Sequence, residues 1–347
     1  MRHIIFPYPY ESNPAFGYTV PMTRIKVGLH GSVGHQIGAT LIDHPKGEVA
    51  ALCDFDPKEF GPHFASARVF QNLQEILDDE SIQLISFCSR RKDIQGEQII
   101  AALNAGKHVY AEKPCCLSED ILDQIIETAR KTGMRFHEMN ASSFSPPYAA
   151  MREVVQSGVI GEVVQILSQK SYPWTDWRPK DERVDGGLTC QAGIYNVRFA
   201  EHVARLKVRS LKIEETLLGN EHEDSDCRRA VSMLMTFENG AVGSSVANYC
   251  CPEPPGWSQW GYETLRIFGT KGFVESIDGG RIGTLAISGK TPQTLDLSSP
   301  GEDLLDLFLE EILTGEDKVP LSLEEELSPT RWVLRAKAGN TPIETRL

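Results

Sequence analysis

Gly106-Lys107-His108-Val109-Tyr110-Ala111-Glu112-Lys113-Pro114 stops a helix, lays down a strand and ends on a lysine in one short run. The apolar residues before it, Ile99, Ile100, Ala102 and Leu103, recur at helical spacing, and Gly106 supplies the usual stop. His108 to Ala111 then reads as a buried strand, so the chain has come back to a sheet. Glu112-Lys113-Pro114 sets Lys113 at the carboxyl end of a parallel strand, where open α/β sheets bind their ligands.

Working toward the amino end, Ile25 to His30 reads as a strand and Gly31-Ser32-Val33-Gly34 as a turn into a helix carrying Ile37 and Leu41, stopped near Pro45. A second strand, Glu48 to Cys53, ends on Asp54, at the spacing from the turn that dinucleotide folds use for a ribose-binding carboxylate. Gly28, Gly31, Ser32, Val33, Gly34 and Asp54 are therefore candidate cofactor residues. The glycine spacing is irregular, with Val33 where the second glycine of a strict Gly-x-Gly-x-x-Gly would stand. A glycine-rich turn that binds nothing is the plainer reading of such a loop on its own. An aspartate at position 54 accepts the hydroxyls of an unphosphorylated ribose and repels a 2′-phosphate, so NAD is expected over NADP.

Leu84 to Cys88 is a further buried strand, followed by Ser89-Arg90-Arg91 and a helix from about Gln95 to Ala105. Ser118 caps the next helix, which carries Ile121, Leu122, Ile125, Ile126 and Ala129 up to Gly133, and a strand from Arg135 to Met139 completes the alternation. Beyond Asn140 the pattern becomes β-rich. A helix with Met151, Val154 and Val155 is followed by strands near 163–172, 210–218, 230–237, 241–249, 264–268 and 272–276, and Glu238-Asn239-Gly240 signals a tight hairpin. The expected organisation is an arm (1–23), an α/β Rossmann dinucleotide-binding domain (24–139), and an α+β domain (140–347) with an open, mainly antiparallel sheet, closed by a last helix over 304–313 and by Trp332-Val333-Leu334.

The totals bound the function. A chain of 347 residues suits two cores, and 41% hydrophobic with 24% charged residues is ordinary for a globular protein. A net charge of −13 argues against a nucleic-acid partner, since phosphate binding needs a clustered positive field. No run reads as a signal peptide or membrane span, and the eight cysteines, none in a Cys-x-x-Cys pair, read as reduced thiols of a cytoplasmic protein. The arm carries four prolines and five aromatics and suits packing along its own subunit or a neighbour as well as it suits disorder.

The Glu-Lys-Pro run, the turn after Ile25 and the Gly-Ile-Tyr at 193–195 together resemble the glucose-fructose oxidoreductase / inositol dehydrogenase / rhizopine catabolism (Gfo/Idh/MocA) family, over about 24–337. The resemblance implies a nicotinamide-dependent oxidoreductase with Lys113 at the reacting centre and Glu112, Ser89 and Arg90 beside the cofactor. It also implies dimers or tetramers formed through the open sheet. Gly187 to Tyr195 is similar to the family's Gly-x-Leu-x-Asp-x-Gly-x-His/Tyr, with Tyr195 as proton donor or acceptor and Gln191 where the family carries a carboxylate. Positions 191 and 195 lie four apart and share a helix face. An amide at 191 orients a hydroxyl but holds no proton, which points to a different substrate or to no chemistry.

Trp174, Trp177 and Arg178 offer aromatic faces and a cation suited to a hydroxylated ring, although tryptophans filling a loop core read equally well; Trp257 and Trp260 are rim candidates. No metal site is expected: Glu221, His222, Glu223, Asp224 and Asp226 form an acidic polar turn, and His30 and His35 have no partner at ligand spacing. The expected activity is hydride transfer between NAD and a secondary alcohol or hemiacetal carbon of a sugar, cyclitol or related polyol. The alternatives are an NAD(H)-binding regulator without turnover and a glycoside hydrolase that keeps NAD bound.

Overall fold

A computed structural model describes residues 24–55, 63–176, 178–220, 222, 224–252 and 262–339. The arm, Trp177, Glu221, Glu223, Trp257 and Trp260 lie outside the described residues. Six short strands, β1 (Ile25–His30), β2 (Gly47–Cys53), β3 (Arg68–Phe70), β4 (Leu84–Phe87), β5 (His108–Ala111) and β6 (Phe136–Glu138), form one parallel sheet in the order β3-β2-β1-β4-β5-β6. This is the Rossmann order, and its switch point lies between β1 and β4. The crossovers include α1 (Leu73–Leu77), α2 (Lys92–Asn104) and α3 (Glu119–Thr132). α3 is delimited as its sequence demands. Ser118 Oγ accepts the Ile121 N–H, and Gly133 closes the helix at φ 69°.

The helix expected after β1 does not form. Residues 37–43 wind as successive turns, with the Leu41 N–H donating to Ile37 O at 3.1 Å and to Gly38 O at 3.2 Å. Gln36 diverts its side chain to the backbone, its Nε2 donating to Gly31 O at 2.7 Å and its Oε1 accepting from Ile37 N at 2.9 Å. Gly38 disfavours a helix and Asp43 takes φ 56°, so nothing local favours continuous helix. Ile37 and Leu41 are still buried, because α7 (Leu304–Thr314) returns to this face and packs Leu305, Phe308 and Leu309 against Ile25, Val27 and Leu29. Lys46 ties the turn to α7 through Asp306 and Glu310, each at 2.8 Å.

After α4 (Tyr148–Gln156) the chain builds an eight-stranded sheet from β7 (Val163–Ser171), β8 (Val208–Thr216), β9 (Ala230–Phe237), β10 (Val242–Asn248), β11 (Tyr262–Gly269), β12 (Gly272–Ile277), β13 (Ile282–Ile287) and β14 (Gln293–Thr294). Its order is β14-β13-β12-β11-β7-β10-β9-β8, antiparallel except for the β7/β10 pair. The Glu238–Gly240 turn joins β9 to β10 as expected. Its inner face is covered by a continuous helical stretch. Short α5 (Glu182–Asp185) precedes a π-helical turn over Thr189–Gly193, α6 (Ile194–Arg198), and a second π-helical turn over Phe199–Val203. The helix at 304–314 is not the last. α8 (Leu323–Lys337) follows, opened by a capping box between Ser322 and Glu325, and it contains Pro329 as well as Trp332-Val333-Leu334. An internal proline hides such a helix from a sequence reading. Among the described residues no helix is long and apolar enough to cross a membrane.

The two sheets are joined at β6. Glu138 is wholly buried: its carboxylate accepts the Cys115 N–H at 2.8 Å, the Thr330 hydroxyl at 2.8 Å and the Arg198 Nη2 at 2.5 Å. Beside it the His137 ring lies between Glu326 (2.6 Å) and Glu311 (2.9 Å). Burial opposes a charge on this ring, but the two carboxylates more than offset that and raise it to about 10. A histidine raised in this way stabilises the fold fully below its unfolded value of about 6.5, and the stabilisation is lost as pH rises through about 10. Between about pH 7 and about pH 10 the urea midpoint should therefore fall further for the wild type than for His137→Gln. Equal slopes would show that the ring carries no such charge.

Candidate active site

The carboxyl ends of β1, β2, β4 and β5 bring the expected cofactor residues together, with one exception. Gly28 sits within β1, its Cα facing the side chains of Ile76 and Ile82, so it serves sheet packing and not the turn. Gly31 takes φ 75° and lies against the backbone of Cys88, where a Cβ would come within 2.5 Å of the carbonyl oxygen. Ser32 and Val33 are half-buried in the same turn, and the Val33 N–H donates to Cys88 O at 3.0 Å. Gly34, at φ 86°, faces Glu112, whose carboxyl carbon would lie 2.8 Å from an added Cβ. Asp54 ends β2 as an exposed carboxylate beside Gly31, whose N–H donates to Cys53 O at 3.0 Å. Ser89 is buried and its Oγ accepts the Arg91 N–H at 3.1 Å, while Arg90 projects into solvent at the mouth.

Glu112 and His35, 77 residues apart, meet here. One carboxylate oxygen accepts both the His35 N–H and its Nδ1, each at 2.8 Å. Burial would raise this carboxyl, but the His35 ring and the Lys113 and Lys92 charges outweigh it and hold it below the ordinary carboxylate range. Glu112 thereby occupies an amide that a helix start would offer to a phosphate, and the helix itself is missing. The glycine cradle and the exposed Asp54 still fit a dinucleotide.

Lys113 reaches into the junction of the two sheets, its Nζ 3.9 Å from Glu112 Oε1. Its Nζ donates to Gln191 O at 2.7 Å, lies 3.5 Å from Gln191 Oε1 and stands 5.0 Å from the centre of the Tyr195 ring. Burial lowers Lys113 to about 8. Glu112 opposes that shift, and Arg198, Arg178 and Lys92 reinforce it. The π-helical turn and α6 thus place Gln191 and Tyr195 on one side of the lysine, at a kind of helix irregularity common at functional sites. Gln191 is oriented by its own Nε2, which donates to Asp185 O at 2.7 Å. Tyr195 is buried, which pushes its phenol well above its ordinary value.

Trp174 packs on Arg229, 4.5 Å from guanidinium carbon to ring centre, and edge-on to Tyr249 at 5.7 Å. Arg178 Nη1 donates to the Tyr249 hydroxyl at 3.0 Å, and its charge reaches Lys113 and Asp185. Asp224 pairs with Lys180 and Asp226 accepts the Glu182 N–H, so these acids tie the 224–226 segment to the one that opens α5.

Several contributors lie outside the expected site residues. Gln95 Nε2 donates to the carbonyls of Glu112 (2.9 Å), Pro114 (3.3 Å) and Cys115 (3.2 Å), clamping the backbone on which Lys113 sits. Lys92 is buried and donates to Gln95 Oε1 at 2.7 Å. Asp185, also buried, is raised by desolvation, and its backbone carbonyl accepts the Gln191 amide. Lys170 on β7 stands 4.4 Å from the Tyr195 ring centre. An inward-facing lysine in an alternating strand is the one signal that could have drawn notice to Lys170.

With this geometry on the page, comparison with known families is decisive. Residues 25–139 match the family described as "Oxidoreductase family, NAD-binding Rossmann fold", and residues 148–275 match the "GFO/IDH/MocA C-terminal domain". The chain belongs to the Gfo/Idh/MocA family. Among curated members it is 26% identical over 212 residues to myo-inositol 2-dehydrogenase of Thermotoga maritima, covering 60% of each chain. It is 25% identical over 224 residues to trans-1,2-dihydrobenzene-1,2-diol dehydrogenase of Mus musculus, covering 63% of this chain and 62% of that one. These matches span about three fifths of the relatives' length. The fold is shared with a 3-ketoreductase from Actinomadura kijaniata solved with NADP and TDP-benzene, at TM-score 0.74 and 18% identity, over 91% of this chain and 97% of that one.

Gly34→Ala combines an unfavourable φ with a clash against Glu112. It should weaken NADH binding roughly tenfold, about 1.4 kcal/mol, as read by titration of NADH fluorescence. Unchanged affinity would place the dinucleotide away from this turn.

Proposed function

We propose that the protein is an NAD-dependent dehydrogenase or reductase that moves a hydride between nicotinamide and a secondary alcohol or hemiacetal carbon of a sugar, cyclitol or related polyol. The observation that carries this reading is the convergence of Lys113, Gln191 and Tyr195 where the two sheets meet. Bound nicotinamide would supply the hydride acceptor or donor there. When the alcohol is oxidised, its hydroxyl proton passes to the Tyr195 oxygen in its phenolate form as the hydride leaves the carbon, and in reduction the neutral phenol gives the proton back. Lys113 provides positive charge beside the reacting oxygen, Gln191 orients a hydroxyl, and the Trp174–Arg178 segment lines the sugar face. The exposed Asp54 favours NAD over NADP, because it would repel a 2′-phosphate. The relatives named as inositol and dihydrodiol dehydrogenases support a cyclic polyol as substrate. Seven of the eight cysteines are buried thiols, which suits the cytoplasm.

The second reading, an NAD(H)-binding regulator, is favoured by two observations: an amide stands at position 191, and Glu112 occupies the His35 N–H. Purified protein mixed with NAD and a panel of sugars and cyclitols, followed at the absorption band of reduced nicotinamide, separates them. Reduction by one substrate class supports the dehydrogenase, and Lys113→Met should then lower kcat by about a hundredfold or more while NADH affinity stays within a few fold. Tight NADH binding with no reduction supports the regulator, and sugar product without net NADH supports a hydrolase with bound NAD.

We place a homodimer or homotetramer interface on the outer face of the eight-stranded sheet. Leu234 is 50% exposed there, and Val242 and Val246 are exposed on the neighbouring strand β10, set among Ser232, Thr236 and Ser244. Exposed apolar side chains interleaved with small polar ones on an open sheet face suit a two-fold interface. Leu234→Glu combined with Val246→Glu should convert the assembly to monomers in light scattering. A monomeric wild type, or an unchanged mutant assembly, would remove the interface from this face.

A further inference from the structure

The Tyr195 phenol is surrounded by groups from every element that packs on it. Lys113 approaches from the end of β5, with its Nζ 5.0 Å from the ring centre, and Lys170 from β7 at 4.4 Å. Arg198 on the same helix stands farther off, at 5.9 Å. Tyr172, after β7, is within hydrogen-bonding reach of the Tyr195 hydroxyl, and the Tyr148 ring and the Glu112 and Glu263 carboxylates complete the surroundings. Two lysines therefore face one tyrosine, and their settings differ.

Lys113 is bonded to a carbonyl, and burial with the cations Arg198, Arg178 and Lys92 lowers it to about 8 against the opposing pull of Glu112, 3.9 Å away. Lys170, equally buried, is ion-paired with Glu263, which also accepts the Tyr148 hydroxyl at 3.2 Å. The same Nζ lies 5.1 Å from the Tyr172 ring centre, so one charge spans both phenols.

We infer that Lys170, ion-paired with Glu263, is the positioning residue that offsets part of the burial cost of ionising Tyr195, which leaves Lys113 to act on the substrate oxygen and the nicotinamide. The inference rests on Tyr195 being the proton donor and acceptor of the proposed reaction. Burial is the largest influence on the phenol and raises it; Tyr172 raises it further, and Lys170 is the strongest of the influences that lower it, ahead of Arg198. Lys170 moves no proton itself. It stabilises the phenolate formed when Tyr195 gives up its proton, and the same charge lowers the cost of the partial negative charge on that oxygen during transfer.

The test reads the phenol directly. Tyr195 is replaced by 3,5-difluorotyrosine, whose fluorine resonance reports ionisation of that one ring, and the full-length protein is titrated in wild-type, Lys170→Gln, Lys170→Arg and Lys113→Met backgrounds. Removing the charge at 170 should raise the titration midpoint by about one pH unit or more, a tenfold loss of phenolate at fixed pH. Lys170→Arg should restore the wild-type midpoint, and Lys113→Met should move it less than Lys170→Gln does. Because Lys170→Gln leaves Glu263 unpaired in the interior, Lys170→Gln with Glu263→Gln serves as the charge-balanced form, and it should show the same rise while NADH affinity stays at the wild-type level. An unchanged midpoint in the balanced variant, or a larger shift from Lys113→Met, would overturn the inference. Tyr195→Phe tests the underlying reading separately: full turnover by that variant would remove Tyr195 from the proton transfer, whatever the fluorine titration shows.

Discussion

Glu138 is the constraint on which the rest depends. It is a carboxylate without solvent, and it is tolerable only because the Arg198 charge, the Thr330 hydroxyl and the Cys115 N–H all face it. Each partner comes from a different part of the chain. Cys115 follows the strand that presents Lys113, Arg198 lies three residues beyond Tyr195, and Thr330 belongs to α8. Removing any of them would leave a buried charge under-compensated, so the lysine loop, the tyrosine helix and the carboxyl-terminal helix are held in one arrangement. Arg198 adds a second tie through Met139 O at 2.9 Å.

From that junction the electrostatics of the site follow. Lys113 faces Arg198, Arg178 and Lys92, and Glu112 alone opposes them strongly. Such surroundings hold a lysine near the working range and favour an anionic oxygen nearby, which is what proton and hydride exchange at an alcohol requires. The family's carboxylate at position 191 would have balanced some of that charge. Its replacement by Gln191 leaves Asp185, six residues earlier, as the nearest buried acid on this segment, its backbone carbonyl taking the Gln191 amide and its carboxylate the Gly187 N–H.

Much of this was legible in the sequence, and the reasons are local. The alternation of apolar strands with helices of period 3.6, together with stops at Gly106 and Gly133, specifies parallel strands and crossovers because each element is governed by neighbours within a few residues. The Glu-Lys-Pro run marks a strand end for the same reason, and positions 191 and 195 share a side because helical spacing makes them neighbours. The turn after β1 shows the limit. Its glycines and apolar spacing read as a helix start, but Gln36 bonds to the backbone and α7, arriving from the far end of the chain, covers the apolar face instead.

The sequence by itself determined the Rossmann half, the change to a β-rich second half, and the strand end on which Lys113 stands. The tertiary structure alone decided that Glu112 turns toward His35, that Gly28 serves packing and not the cofactor, that α7 and α8 return to the first sheet, and that Lys170 joins Lys113 against Tyr195. Each of those contacts joins residues far apart in the chain, and side-chain types alone do not say which buried charge will meet which. Local periodicity sets where an element runs. The pairing of its buried polar groups is set by the need to compensate every charge removed from water, and that need is met only once all the elements have packed.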